Sequence, residues 1–257
     1  GIGESEGTPK DATSADFATD VSAGVAFLKS HPNIDSKKIG LMGHSEGGLI
    51  APMVASKDKS IAFIILLAGP GVSGKDLLLQ QNYDIMKLKD IDEKLLQTLW
   101  SINSTLYDAV IKDKKRENTV DDYMESIKEV YGTISDEDKQ MLGIDEVSMR
   151  KALVGLQIKW MHFFISSVPS DYLLKVKCPV LALNGEKDLQ VAGKMNLDAI
   201  GAALAKGKNK NYKCVLLPDL NHLFQTCETG SVDEYIRIEE TFSPDVMKKI
   251  LDWIKTL

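Results

Sequence analysis

The stretch Ile61–Ala68 (IAFIILLA) contains no polar side chain and ends abruptly at Gly69-Pro70-Gly71. A run this short and this uniformly apolar is a strand covered on both faces, since a half-exposed strand would alternate polar and apolar positions. The chain must therefore supply helices to both sides of a sheet. The surrounding sequence provides them. Phe17, Val21, Val25, Phe27 and Leu28 recur at helical spacing across residues 11–31, and His31-Pro32 ends that helix. Lys38–Met42 reads as a short buried strand, Gly43–Gly48 as a turn and Leu49–Ala55 as a helix. Further along, Pro179–Leu183 and Tyr212–Leu217 read as strands flanking a helix over 192–206. Ser243-Pro244-Asp245 starts a last helix as N-cap, N1 proline and early acid, with Val246, Ile250, Trp253 and Ile254 on one face. Strands alternating with helices define an α/β chain with a mostly parallel sheet.

Between these halves the pattern changes. Leu77, Leu78, Tyr83, Ile85, Met86, Leu88, Leu95, Leu96, Leu99 and Trp100 recur at helical spacing among many charges. Residues 72–175 are accordingly expected to form a helical insertion, with 1–71 and 176–257 forming the α/β core. At 257 residues, 44% apolar and 26% charged, the chain can bury a substantial core as an ordinary globular protein. A net charge of −6 argues against nucleic acid as partner. Cys178, Cys214 and Cys227 are too scattered for a disulfide framework and form no CxxC pair, so no metal site is expected. No apolar run is long enough to span a bilayer, and GIGESEG does not read as a signal peptide. The compartment stays open.

Gly43-His44-Ser45-Glu46-Gly47-Gly48 fits G-x-S-x-G and lies between a buried strand and a helix. A serine on so sharp a turn has an exposed hydroxyl, and glycines two residues to either side admit neighbouring backbone. The helix that follows aims its N-terminus at the site, where the Glu46 amide can bind a developing oxyanion. Ser45 is therefore the candidate nucleophile. A serine needs a base, and four histidines compete for that role. His31 closes a helix on the side of the sheet away from the elbow. His44 adjoins Ser45, and its side chain should point elsewhere at such a turn. His162 lies among Trp160, Phe163 and Phe164 in the insertion. His222 follows strand Tyr212–Leu217 through Pro218-Asp219-Leu220-Asn221, at the carboxyl end of the sheet, where α/β sites form. Elimination and position favour His222.

GHSEGG after KKIGLM resembles the nucleophile elbow of α/β-hydrolases, especially bacterial esterases and relatives of the prolyl oligopeptidase group. NGEKDLQV and LPDLNHLFQ resemble the acid and histidine loops of that family. The resemblance implies the chain order serine, acid, histidine, which Ser45, Asp188 and His222 satisfy. Glu186 and Asp219 are the competing carboxylates: Glu186 lies close to the strand end, and Asp219 can serve as a turn cap. The family commonly places its insertion over the site, which assigns Trp160 and Phe163, with His44, to a substrate pocket as well as to core. The charged flanks of the insertion argue against a lipase working at a membrane surface.

The implied activity is hydrolysis of carboxylic esters of small or medium size through an acyl-enzyme on Ser45, without a cofactor. An alternative is a serine peptidase of the prolyl oligopeptidase type, although nothing here recognisably supplies carboxylates to anchor a peptide amine. Another is a non-catalytic relative used for binding, which would be expected to lack one of the three residues. Gly1, Gly3 and Gly7 do not follow a phosphate-loop spacing. The resemblance instead makes GIGESEG the loop after the family's fourth strand, so the fold is expected to be partial. An upstream segment or a partner chain would then cover the edge of the strand leading to Ser45. The run Lys112–Arg116 (KDKKR) is expected to be a solvated turn.

Overall fold

The computed structural model describes residues 3–8 and 11–257. Gly1 lies outside that set, and with it part of the GIGESEG expectation; Gly3 and Gly7 are exposed and take positive φ values of 65° and 94°.

Among the described residues the sheet has four strands: β1 (Leu41–His44), β2 (Ile64–Leu67), β3 (Val180–Gly185) and β4 (Tyr212–Leu217). They are parallel and lie in the order β1-β2-β3-β4. Leu41 stands beside Ile64, Ile64 beside Val180 and Val180 beside Tyr212, so the carboxyl ends gather along one edge. Pairing continues past those ends. Ser45 donates its amide to the Leu67 carbonyl, Ala68 to Leu183 and Glu186 to Leu217, each at 2.8 Å. β1 thus runs through Gly43 and His44, which the sequence pattern assigns to a turn. Its register is fixed by the Leu41 amide on Phe63 O at one end and the Ser45 amide on Leu67 O at the other.

Both faces of β2 and β3 are covered, as an apolar β2 requires. Ile65 and Leu67 point to one side with Leu181 and Leu183, and there pack with Phe224 and with Val246 of the last helix, α11 (Pro244–Ile254). The alternate residues face α2 (Glu46–Lys57) and α10 (Gly193–Lys206), which α9 (Ser170–Leu173) joins. α1 (Ser14–Ser30) packs on α2 through a face that buries Ala18 and Val25. The predicted stripe is rotated, since Phe27 is 67% exposed. In α11 Ser243 holds the N-cap position, but its side chain makes no capping hydrogen bond.

The chain forms two compact units. Ser14–Ser73 with Val168–Leu257 make the sheet unit, and Gly74–Ser167, with the N-terminal stretch ending at Thr13, make the helical one. Residues 168–175 therefore belong with the sheet, because Leu173 and Val176 are fully buried where α9 packs on α2 and α10. The helical unit contains α3 (Gly74–Lys87), α4 (Glu93–Lys112), α5 (Val120–Tyr131), α6 (Asp136–Leu142), α7 (Glu146–Leu156) and α8 (Lys159–Ile165). Its core joins Leu79, Ile102, Val110, Tyr123, Ile127, Leu153 and Ile165. Side-chain caps start α4 at Asp92, α5 at Thr119 with a full capping box, α6 at Ser135 and α7 at Asp145. Among the described residues no helix is long and apolar enough to cross a membrane.

In the sheet unit Lys29, in the last turn of α1, pairs with Asp58, the C-cap of α2, at 2.8 Å. That ammonium, with the Ser60 hydroxyl and amide, holds the Asp58 carboxyl down at about 2. A carboxyl depressed in the folded state adds stability above its ordinary pKa and loses it as pH falls through the folded value. Solvent screens this half-exposed pair, so Asp58→Asn is expected to lower stability by about 0.5–1 kcal/mol at pH 7. The difference between variant and parent should close between pH 4 and pH 2 as Asp58 takes up its proton. Urea midpoints measured at both ends of that range check this; a gap that persists at pH 2 would place the effect elsewhere.

Candidate active site

Ser45 follows β1 directly and is the N-cap of α2, with φ 53° and ψ −118°. That backbone region is nearly closed to a residue with a side chain and costs on the order of 1–3 kcal/mol, which the surrounding structure must impose. Two close approaches impose it here. A Cβ on Gly43 would lie 2.0 Å from the Gly47 carbonyl oxygen, and one on Gly48 would lie 2.5 Å from the Gly69 Cα. The second glycine that the turn requires is thus Gly48, because a Cβ on Gly47 would meet nothing within 4 Å. The Ser45 side chain makes no capping bond. Glu46 opens α2 at the positive end of the helix dipole, and its carboxylate accepts from Ser14 Oγ at 2.6 Å.

Asp188 and His222 meet inside the sheet unit. His222 Nδ1 lies 2.8 Å from Asp188 Oδ2, and the two side chains are 5% and 0% exposed. The other oxygen, Oδ1, accepts the amides of Gln190 at 2.8 Å and Val191 at 2.9 Å. The carboxylate is acceptor-only, so Nδ1 carries the proton and the Nε2 lone pair is left to act as a base. The rival carboxylates are engaged or remote. Asp219 pairs with Lys187 at 2.8 Å, and Glu186 is exposed.

The loop carrying His222 is bound tightly, which sequence inspection missed. Asn221 is fully buried; its Oδ1 accepts the amides of Leu223 and Gln225, and its Nδ2 donates to Gln225 Oε1. An Asn that accepts a backbone amide two residues on is the signal that PDLNH carried. Lys187, from the acid loop, also donates to the Cys227 carbonyl at 3.1 Å, tying the two loops together.

His44 does not point away from the site. As a strand residue in register with Leu67 and Leu183, it projects to the face where Phe224 packs. Its Nε2 donates to the main-chain carbonyl of His222 at 2.8 Å, and the two rings lie 4.6 Å apart. Desolvation of the ring pushes the His44 pKa below the usual value, the neighbouring His222 adds to that, and the carbonyl bond and Asp188 oppose it.

The other predicted pocket residues belong to the helical unit. Trp160 stacks on Phe164 with centroids 5.3 Å apart, and Phe163 beside them is half-buried. His162 donates to the Asp113 carbonyl at 2.7 Å, in the Lys112–Arg116 turn. His31 is exposed beside Phe27. Burial pushes the thiols of Cys178 and Cys214 up to about 11 and raises that of Cys227, which keeps all three protonated near neutrality.

The sequence model of the family described as BAAT / Acyl-CoA thioester hydrolase C terminal matches residues 22–155. Among solved structures, the α/β hydrolase GrgF from Penicillium sp. sh18 is similar at 15% identity with a TM-score of 0.55, over 99% of this chain and 76% of its own. DcsB, solved in complex with a substrate analogue, is similar at 17% identity and a TM-score of 0.51, over 99% of this chain and 77% of its own. Identities this low speak to the fold alone. No curated protein sequence matches the chain.

Gly185, the last residue of β3, abuts the histidine loop. A Cβ there would lie 2.1 Å from the Leu220 carbonyl oxygen and 2.8 Å from that of Asn221. Gly185→Ala should therefore displace the loop and lower stability by about 1–3 kcal/mol. Gly155, inside α7 with nothing within 4 Å of its Cβ position, serves as control. Gly155→Ala should be neutral or stabilising by up to about 1 kcal/mol. Equal denaturation midpoints for the two variants would contradict the close approach.

Proposed function

Because the chain belongs to the BAAT / acyl-CoA thioester hydrolase C-terminal family of α/β-hydrolases, we propose that it is a serine acyl hydrolase that cleaves carboxylic esters through an acyl-enzyme on Ser45. The observation that carries this reading is the buried Asp188–His222 pair at the carboxyl edge that also holds the elbow. Ser45 Oγ attacks the acyl carbonyl carbon while His222 Nε2 takes its proton. Asp188 keeps the imidazole in the Nδ1–H tautomer and stabilises the imidazolium. The Glu46 amide, at the helix N-terminus, donates to the oxyanion. Collapse expels the leaving group, which takes the proton from His222. A water then enters, gives its proton to His222 and attacks the acyl-enzyme, and the proton returns to Ser45 as the acid leaves.

The family description favours a second substrate class, acyl thioesters. The same machinery serves both, with one difference. A thiolate is a far better leaving group than an alkoxide, so thioester cleavage leans less on proton donation by His222. A panel of nitrophenyl esters, acyl-CoA thioesters of matched chain length and prolyl anilides separates the readings by kcat/KM. The expected order places esters or thioesters first and anilides last; a preference for anilides would favour a peptidase instead.

Ser45→Ala should lower turnover by roughly four to six orders of magnitude without unfolding the protein. It should also abolish labelling by a fluorophosphonate probe. Asp188→Asn, which removes the charge that orients His222, should cost about 10⁴-fold. Full activity in a folded, uncontaminated Ser45→Ala sample would overturn the mechanism. A neutral Asp188→Asn beside a crippled Asp219→Asn would move the acid to Asp219.

A further inference from the structure

We infer that His44 is a positioning residue: its imidazole clamps the loop of His222 to the strand that delivers Ser45. This rests on the proposed serine mechanism and adds a residue to it. Three observations carry the inference. The Nε2–H of His44 meets the main-chain carbonyl of His222 itself, at 2.8 Å across 178 residues of sequence. The His44 ring backs the His222 ring at 4.6 Å and meets the edge of Phe224 at 6.3 Å, so one side chain touches the base and the residue two places beyond it. The direction of His44 is set by the ladder: in register with Leu67, it faces the histidine loop, while Ser45 leaves the ladder through its strained φ.

Other fixings of the loop act from its own side, from the acid loop or from the segment that follows it, where the Ser243 amide donates to the Phe224 carbonyl and the Thr226 amide to Glu240. The Asn221 bonds stay within residues 221–225, and Lys187 reaches Asp219 and Cys227. Asp188 fixes the imidazole but comes from β3's end. The His44 bond ties the base directly to the strand of the nucleophile. Misplacement of a base by about 1 Å can cost on the order of a hundredfold in rate, so a fixed separation between these two segments matters for turnover. A neutral ring is needed in this role, because a second imidazolium would oppose charge forming on His222; desolvation and His222 both keep His44 on the neutral side of its usual titration.

The test compares three substitutions. His44→Phe keeps a ring without a donor, His44→Gln keeps a donor near the Nε2 position, and His44→Met has the length of Gln without the donor. On a nitrophenyl ester, His44→Phe and His44→Met should lose about 10- to 100-fold in kcat with KM changed less than about threefold, and His44→Gln should recover to within about threefold of the parent. The low-field proton resonance of His222 Nδ1–H supplies a readout independent of turnover. It should broaden through exchange in His44→Phe and His44→Met and stay sharp in His44→Gln. Parental kcat and an unchanged resonance in the donor-free variants would overturn the inference, as would a His44→Gln variant as impaired as they are. Failure of the underlying mechanism looks different: Ser45→Ala would then retain activity and the parent would not label with fluorophosphonate.

Discussion

The site depends on a parallel register in which four strands start level and run to one edge, β1 and β2 ending two residues short of β3 and β4. Leu41 aligned with Ile64, Val180 and Tyr212 places His44, Leu67 and Leu183 in one row at the carboxyl edge. The candidate site residues Ser45, Asp188 and His222 follow from the ends of these strands. Backbone pairing extends one residue beyond the strands, so Ser45, Ala68 and Glu186 are anchored before their loops diverge. A slip of one residue in β1 would send His44 to the opposite face and move Ser45 off the end of the ladder. A like slip in β2 or β3 would be costly, because Ile65, Leu67 and Leu181 would trade places with the residues facing α2 and α10.

Strain concentrates at that same edge. Ser45, Ala68, Asp219 and Phe224 all take positive φ without being glycine, and each follows the end of β1, β2 or β4 or lies in the histidine loop. Such conformations persist only where neighbours over-determine them. The Asn221 side chain, the Gly185 approach to Leu220 and the Lys187 bridge supply that determination around Asp219 and Phe224. At Ser45 the Gly43 and Gly48 approaches do so. The sheet unit thus pays in local backbone strain for side chains held in fixed positions.

Much of this was legible in the sequence, for physical reasons. IAFIILLA and the Pro179–Leu183 run are apolar over strand lengths, and burial on two faces leaves such a pattern; Tyr212–Leu217 reads as a strand too, although only Leu217 of it is buried. Asp188 and His222 each follow a strand by a few residues, so their place at the carboxyl edge could be read without coordinates. What could not be read was set by tertiary contact. The end of β1 was hidden because Gly-His-Ser reads as a turn, whereas pairing with β2 carries the strand to His44. The buried face of α1 was misjudged because Phe27 is apolar yet 67% exposed, while Ala18 does the packing. The resemblance of NGEKDLQV to the family's acid loop pointed to Asp188, and the contacts of the three carboxylates, which no sequence shows, differ: Asp188 pairs with His222, Asp219 with Lys187, and Glu186 is exposed.

The lowered pKa of His44 follows from the same arrangement. One buried carboxylate, Asp188, faces His222 directly and is already committed to its Nδ1 and to two amides. It can balance one imidazolium. Two like charges 4.6 Å apart would repel by roughly 3–4 kcal/mol at an effective dielectric near 20, less along the exposed edge of His44. Burial already lowers the His44 pKa, and a neutral His44 still donates from Nε2–H to the His222 carbonyl. The hydrogen bond does not require the second proton, so the proposed clamp would persist through the proton cycle of the proposed mechanism without competing for the charge of Asp188. A lysine or arginine at position 44 could make a similar bond to the carbonyl, but its permanent charge would oppose the imidazolium that the proposed acyl transfer forms on His222.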